Sequence, residues 1–124
     1  LTRRAIPVEA TMPLSEALRR AGDAGAGGLV VVTTGGDPVG LVDEAAVRAV
    51  PVERRPWVPV SDLSRRLAEG HRVPAELAGH ELVEVLSAHP APEYLVVEED
   101  GSVFGILATA DVERALREGP VRNG

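Results

Sequence analysis

Two stretches decide the fold of this chain: GLVDEAAVRAV at positions 40–50 and GILATADVERAL at positions 105–116. Each begins with a glycine and an apolar step, continues through small or polar residues, and ends in a helical pattern. The second stretch places Asp111 six residues after its glycine, whereas the first has Ala46 at the matching position. The shared layout indicates that the chain contains a repeated unit.

An offset of 65 residues aligns the sequence with itself without a gap, over residues 8–50 and 73–115. The alignment preserves the hydrophobic rhythm and the glycines at positions 36 and 101 and at positions 40 and 105. Self-similarity at a fixed period is the sequence signature of a duplicated structural unit. The pattern therefore predicts two copies of one fold rather than one irregular domain.

Each copy has the pattern of a β-α-β-β-α unit. A short strand precedes an amphipathic helix, and an apolar run of strand length follows it. A turn with a glycine that favours positive φ then leads into a second strand and a closing helix. The predicted elements begin with strands Ile6–Val8 and Arg72–Pro74, and the closing helices begin near Asp43 and Thr109.

A proline-rich segment separates the copies. The predicted division is a first repeat at 1–50, a linker with a crossing helix at 51–70, and a second repeat at 71–124. The stretch SDLSRRL predicts one or two helical turns capped by Ser61, and Trp57 is predicted to be a hydrophobic plug between the repeats. A unit of about 60 residues cannot bury both faces of its sheet alone. We therefore expect an α/β fold of two repeats packed with pseudo-twofold symmetry, with clefts between them.

Composition excludes several classes of function. The net charge is −6, all cationic side chains other than histidine are arginines, and no basic run exceeds two residues, which disfavours nucleic-acid binding. There is no cysteine, and no apolar run approaches the roughly 20 residues of a membrane helix, so this chain is not expected to insert into a membrane. The chain starts without methionine and is interpreted as a soluble fragment of a longer protein.

No catalytic or metal-binding constellation stands out. HELVE at positions 80–84 resembles the zinc-protease pattern H-E-x-x-H, but its fifth residue is Glu84, so the second imidazole is absent. The other two histidines, His71 and His89, fall in different predicted elements, so no metal site is predicted. The acidic turn at positions 98–100 is interpreted as a solvated turn. This chain is therefore not expected to be an enzyme.

The repeat pattern resembles a tandem pair of CBS domains, also called a Bateman module. The matching features are the early P-x-x-x-A-hydrophobic helix, the LVVV or LVV strand, the turn before the second strand, and the glycine followed by two apolar residues before a helix. The second repeat, EYLVVEEDGSVFGILATADVERAL, is the more specific match. The resemblance covers essentially the whole chain and implies a CBS-pair fold.

A narrower similarity concerns RRPWVPVSDLSRRL and YLVVEEDGSVFGILATADV, which are similar to the C-terminal CBS pair of actinobacterial site-2-protease-like zinc metalloproteases of the M50 type. This resemblance implies a parent protein with a zinc-dependent intramembrane protease domain. Zinc would then belong to that part and not to this chain. The module itself would be cytoplasmic, tethered to the inner face of the plasma membrane, with the protease domain as its partner.

In CBS pairs, adenosine nucleotides bind in the clefts between the repeats, and the family motif is Gly-h-h-Ser/Thr-x-x-Asp. The resemblance implies that the aspartate accepts hydrogen bonds from the ribose and that the hydroxyl and helix N-terminus face the phosphates. In the second repeat, Gly105 and Asp111 match, Ala108 replaces Ser/Thr, and Thr109 follows one place late. An alternative for Asp111 is a carboxylate that only stabilises the first turn of its helix.

The first repeat departs further from the motif. Asp43 stands at the Ser/Thr position, where it is suited to cap a helix but opposes a phosphate, and Ala46 stands at the aspartate position. Two functions remain open. One is a regulatory module that binds AMP or ATP weakly through the second repeat, and the other is a degenerate CBS pair that serves dimerisation or protein docking. In either case a homodimer through helical faces is predicted.

Overall fold

The computed structural model describes residues 1–122, with side chains described up to residue 118, so the last two residues of the predicted second repeat lie outside it. The described chain has seven strands and four α-helices, joined by turns. In chain order they are β1 (Arg3–Glu9), α1 (Leu14–Asp23), β2 (Gly28–Val32), β3 (Pro38–Val42), α2 (Glu44–Ala49), β4 (Ser64–Arg66), β5 (Arg72–Pro74), α3 (Gly79–Ala88), β6 (Glu93–Val97), β7 (Val103–Ala108) and α4 (Thr109–Arg122).

The strands form one curled sheet in the order β4-β3-β2-β1-β7-β6-β5. The register confirms the repeat, because the β1–β2 partners of residues 7–9 and all the β2–β3 partners recur 65 residues later. Val8 pairs in parallel with Val31, and Val73 pairs in parallel with Val96. The antiparallel pairs β2–β3 and β6–β7 also correspond, including a register shift at the same position of β2 and β6. Two β-α-β-β-α repeats are thus related by pseudo-twofold symmetry.

The hairpin turns correspond as well. Gly36 and Gly101 have φ values of 91° and 87°. These left-handed conformations favour glycine, and they connect β2 to β3 and β6 to β7 as the sequence predicts. The conserved geometry explains why both turns carry a glycine at the same offset.

Two strands cross between the repeats and pair with a strand of the other half of the sheet. The start of β1 pairs antiparallel with β7, with Arg3 opposite Ile106, while its later part pairs in parallel with β2. The strand β4 pairs with β3 in the same way, with Arg65 opposite Leu41. Arg3 and Arg65 are therefore equivalent, at an offset of 62 rather than 65 residues. The second repeat divides the counterpart of β1 into the two short strands β4 and β5.

Equivalent residues from both repeats build the core between the two halves of the sheet. Val30 and its counterpart Leu95 are fully buried, as is Ile106, and Leu41, the counterpart of Ile106, is 5% exposed. These four side chains belong to one apolar cluster. The opposite face of each half packs against its own helices in a separate cluster. Because β2 is buried on both faces, its sequence is a continuous apolar run rather than an alternating one.

The linker differs from the prediction in two respects. The expected helix around Ser61 is a short 3-10 turn, Val60–Leu63, and the following residues form β4 because the backbone of β3 offers them a hydrogen-bonding edge. Trp57 is 83% exposed, so its predicted role as a plug between the repeats is wrong. Buried residues of the two sheet halves already fill that space. The division of the chain at 50 and 70 stays a prediction.

The crossing strands require a glycine in β3 and in β7, the strands against which they pair. A methyl group on Gly105 would overlap the carbonyl oxygen of Arg3 and lie 2.7 Å from Cγ2 of Thr2, and one on Gly40 would lie 3.1 Å from the carbonyl oxygen of Arg65. Both glycines are buried. Their place in the shared pattern therefore has a structural reason, which is the close approach of a strand from the other repeat.

We predict that Gly105→Ala lowers the free energy of unfolding by about 1–3 kcal/mol, because the methyl group must displace the β1 backbone. Gly40→Ala should cost less, because its nearest contact is longer. Gly27→Ala is the matched control, since an added methyl there meets nothing within 4 Å. Urea-induced unfolding monitored by circular dichroism measures all three, and equal stability of the Gly105 and Gly27 variants would contradict the role given to β1.

Candidate functional site

Asp111 lies in the first turn of α4 and is half-buried. Its Oδ1 accepts a hydrogen bond from Nη2 of Arg114 at 2.6 Å, and the Asp111 side chain is 29% exposed. The carboxylate also lies near the positive end of the helix. Both interactions are local to the helix, so the arrangement agrees with the structural alternative for Asp111. A ligand hydroxyl that bonds to this oxygen has to compete with Arg114.

The other predicted ligand residues of the second repeat make structural contacts. The Thr109 hydroxyl donates to the carbonyl oxygen of Ala91, and the Thr109 N–H donates to that of Pro92. These bonds attach the start of α4 to the segment that enters β6. Ala108 ends β7 opposite Glu93, and Gly105 is buried against β1. The structure thus brings the four predicted residues onto one strand–helix junction, with the hydroxyl already engaged.

In the first repeat, Ala46 stands where the family motif has the aspartate, so that position has no carboxylate. Asp43 is the N-cap of α2, and its Oδ1 accepts a hydrogen bond from the N–H of Ala45 at 3.3 Å. This confirms the predicted capping role. Asp43 therefore stabilises the helix start at the position where the family motif has a hydroxyl.

A cavity of about 100 Å³ lies between the two repeats. Its wall comprises Leu41 of the first repeat, the linker residues Arg65, Arg66 and Leu67, and the second-repeat residues His71, Ala91, Pro92 and Glu93. Asp111 is not part of this wall, whereas Thr109 contacts it through Ala91 and Pro92. This volume is below the roughly 300 Å³ at which binding pockets for drug-sized molecules start.

The strongest polar cluster of the described side chains surrounds Glu93. Its Oε1 lies 2.7 Å from Nη2 of Arg65, and its Oε2 lies 3.0 Å from Nη2 of Arg3. Arg3 also contacts Oε2 of Glu44 through Nη1 at 2.7 Å. The Glu93 side chain is only 14% exposed. One carboxylate therefore joins the two equivalent arginines of the crossing strands.

Two larger grooves occupy equivalent places beneath the helices. One, of about 300 Å³, lies between α1 and α2, and the other, of about 430 Å³, lies between α3 and α4. Both are lined mainly by apolar and small residues. On α4 the lining residues follow helical spacing, so Asp111 lies on the opposite face of the helix; they are Thr109, Val112, Glu113 and Leu116.

Tyr94 closes the second groove from the side of the sheet. It is 1% exposed, and its hydroxyl accepts from the N–H of Ala91 and lies within hydrogen-bond distance of the carbonyl oxygens of Leu86 and His89. The His71 and Tyr94 rings are nearly perpendicular, with their centroids 5.6 Å apart. This network fixes the loop between α3 and β6.

The remaining candidates carry no site. His80 is exposed and lies 3.8 Å from Glu84, and the part of the chain that the structure describes contains no group of three metal-ligating side chains. The acidic turn is exposed, and hydrogen bonds from the side chain and backbone of Ser102 lower the pKa of Asp100. Within residues 1–122, no helix is both long enough and apolar enough to span a bilayer.

The polar cluster and its geometry are not predicted by the sequence pattern. The pattern predicts that Glu93 begins a strand and that the pairs Arg54-Arg55 and Arg65-Arg66 lie on the surface. One signal was available, because TRR at positions 2–4 and SRR at positions 64–66 repeat at an offset of 62. That second offset identifies Arg3 and Arg65 as equivalent residues. The acid that joins them has Gly28 as its counterpart in the first repeat, so no repeat signal identifies it.

We predict that Thr109→Val lowers the free energy of unfolding by about 1 kcal/mol, because the carbonyl oxygen of Ala91 loses its hydroxyl partner. Thr109→Ser keeps the hydroxyl and should retain most of the stability. Thermal and urea unfolding of the two variants provide the comparison. A Thr109→Val variant as stable as the wild type would show that the hydroxyl has no structural role and is free for a ligand.

Comparison with known proteins gives the context for this geometry. Residues 1–53 match the family model of the CBS domain. No curated protein shows significant similarity to the chain.

Solved structures with the same fold include three archaeal proteins. A CBS-domain protein of Thermoplasma acidophilum is 23% identical with a TM-score of 0.56, and the alignment covers 87% of this chain and 61% of that one. An uncharacterized conserved protein of Pyrococcus horikoshii is 26% identical with a TM-score of 0.58, over 94% and 88%. A CBS-domain protein of Pyrobaculum aerophilum, complexed with AMP, is 19% identical with a TM-score of 0.59, over 90% and 85%.

The chain thus spans about three fifths of the Thermoplasma protein and most of the other two. These similarities show the fold of the chain. The repeat register, the match over residues 1–53 and the structural similarity agree with one another. The first repeat is therefore similar to a CBS domain, and the chain as a whole has the fold of a CBS pair.

Proposed function

We propose that this chain is a non-catalytic regulatory module that binds one adenosine nucleotide, weakly, beside Asp111. The observation that carries the proposal is the asymmetry of the two motifs. The second repeat retains a half-buried carboxylate in the first turn of α4, and the first repeat has Ala46 at that position. A carboxylate can accept both hydroxyls of a ribose, and a methyl group cannot. The AMP complex of the Pyrobaculum protein supports adenosine as the ligand class.

Two contacts and one missing hydroxyl are the reasons to expect weak binding. Arg114 holds Oδ1 of Asp111, Ala108 offers no hydroxyl to a phosphate, and the hydroxyl of Thr109 is bonded to Ala91. Each hydrogen bond to a charged group that is missing costs about one to two decades of affinity. Adenosine and AMP are therefore expected to compete better against ATP here than in a module with the complete motif.

Isothermal titration calorimetry with adenosine, AMP and ATP tests the proposal. We expect one site per chain and a loss of about tenfold or more in affinity in Asp111→Ala. Glu113→Ala is the matched control, because it removes a carboxylate from the groove-lining side of the same helix. Two sites per chain, or equal affinity of the wild type and Asp111→Ala, would contradict the site.

The second candidate function is a docking or dimerisation module without a ligand. The pairing of Asp111 with Arg114 favours it, because the family carboxylate then has a partner within its own helix. The hydrogen bond from the Thr109 hydroxyl to Ala91 also favours a module without a ligand. The same titrations separate the two functions, since a wild type that binds none of the three nucleotides leaves only the docking module.

We also propose that the module forms a homodimer through its helical faces. The two grooves beneath the helices are mainly apolar, and Leu116 at the edge of the second groove is 52% exposed. Covering such surface is favourable at about 25 cal/mol per Å². Light scattering should give twice the chain mass of 13.0 kDa, and Leu116→Glu should shift the mass toward the monomer. A wild type that stays monomeric at high concentration would contradict the dimer.

The proposal for the parent protein rests on the resemblance of the linker and second repeat alone. In this proposal the module is a cytoplasmic part of a larger site-2-protease-like membrane metalloprotease, which holds the zinc and the catalytic groups. The module would then regulate that protease domain through the relative position of its two repeats.

A further inference from the structure

We propose that a groove beside Leu1 binds an extended apolar peptide segment joined to the amino end of Leu1, and that this segment covers the second repeat as linker residues 58–63 cover the first. This Leu1 groove has a volume of about 280 Å³ and lies between residues 1–2, β5 and the start of α3. It shares no residue with the cavity between the repeats or with the two grooves beneath the helices. Binding here therefore does not depend on the proposed nucleotide site at Asp111.

The wall of the Leu1 groove is apolar and partly open to solvent. The Leu1 side chain at its edge is 66% exposed, and Leu77 and Leu82 lie partly buried against the core of the second repeat. The buried residues Val73 and Val96 form its floor. None of the residues that form the wall carries a charged side chain. The groove is therefore suited to apolar side chains and not to an ion.

The corresponding wall of the first repeat is covered by the linker. Val60 is fully buried there, and Leu63 packs partly buried against the same apolar cluster. That cluster contains the counterparts of Val73, Leu82 and Val96, which are Val8, Ala17 and Val31. The equivalent cluster of the second repeat is built only from residues 73–112 among those that the structure describes. One repeat thus has a cover that the other lacks.

The linker also pairs with the backbone in front of α1. The N–H groups of residues 60–61 donate to the carbonyl oxygens of Met12 and Ala10, at 2.9 and 3.1 Å. The corresponding carbonyl oxygens in the second repeat belong to Leu77 and Ala75, and within the described part of the chain neither accepts a backbone hydrogen bond. Two acceptors are therefore in place for an extended segment that runs along the groove as the linker does.

The difference in cover agrees with a difference in burial between the first helices of the two repeats. Helix α1 has three buried side chains, Leu14, Ala17 and Ala21, whereas in α3 Leu86 alone is buried. Leu82 is the counterpart of the fully buried Ala17, yet it stays partly exposed although it is larger. Apolar surface of this kind is characteristic of a site that another segment covers.

The 62-residue offset determines which residues correspond to the linker. β4 and the start of β1 are equivalent at this offset, because each pairs antiparallel with the second strand of a hairpin in the other half of the sheet. Leu1 therefore corresponds to Leu63, and five residues joined to its amino end correspond to residues 58–62. The counterpart of the buried Val60 is the third residue before Leu1. The occupant is thus an extended segment with an apolar residue at that position, which leads directly into β1.

A chain extended at the amino end of Leu1 by Val-Pro-Val-Ser-Asp, the sequence of residues 58–62, tests this assignment. The matched control carries Ser-Pro-Ser-Ser-Asp, which keeps the length, the proline and the charge but removes the apolar side chains. We expect the valine extension to melt at a temperature about 3 °C or more above that of the serine extension, because the groove buries a valine side chain. Nuclear Overhauser contacts should join the methyl groups of the second added valine to those of Leu82.

Two substitutions show whether the gain arises in the Leu1 groove. Ala75→Glu places a charge on the groove wall, at an exposed residue, and should abolish the difference between the two extensions. Ala88→Glu makes the same change at an exposed residue outside the groove and should leave that difference intact. Equal melting temperatures of the valine and serine extensions would overturn the assignment. A difference that persists in Ala75→Glu would do the same.

Discussion

The contact of the β1 backbone with Gly105 joins the two halves of this molecule. A strand can cross from one half of the sheet to the other only where the receiving strand has no side chain in its path, and Gly105 provides that space. The crossing makes a single continuous sheet from two repeats that would each be too small to bury their own core. It also places Arg3 beside Glu93, so the polar cluster depends on the same backbone contact.

The duplicated architecture could be predicted from the sequence, and the path of the linker could not. Glycines in the hairpin turns and apolar runs in the central strands impose constraints that each repeat meets separately, so they recur at one offset. The register of Val31 against Gly40 and of Val96 against Gly105 confirms that offset. The strand β4 does not follow the 65-residue offset, because the chain has three more residues between β4 and β5 than between the equivalent positions of β1. A three-residue strand also has no hydrophobic pattern of its own.

Less of the candidate site could be predicted. The sequence places Asp111 and Thr109 at a helix start, but their partners depend on side-chain geometry. Arg114, one turn along the helix, donates a hydrogen bond to the Asp111 carboxylate. The Thr109 hydroxyl donates to the carbonyl oxygen of Ala91, which lies 18 residues away in sequence. For Trp57 the sequence predicts burial, and the structure shows an exposed side chain. A lone aromatic residue in a linker favours burial, yet the apolar space between the repeats is filled by short aliphatic side chains.

The division of one crossing strand into β4 and β5 makes the two connections between the repeats different. On one side, β1 runs unbroken from its pairing with β7 to its pairing with β2. On the other side, residues 67–71 separate the two short strands and include a 3-10 turn, Glu69–His71. Side-chain hydrogen bonds from Arg65 to Glu93 and from Arg72 to the carbonyl oxygen of Pro38 join the repeats there. The first connection therefore depends on backbone hydrogen bonds, which no substitution removes directly, whereas the second depends on side chains that single substitutions can remove.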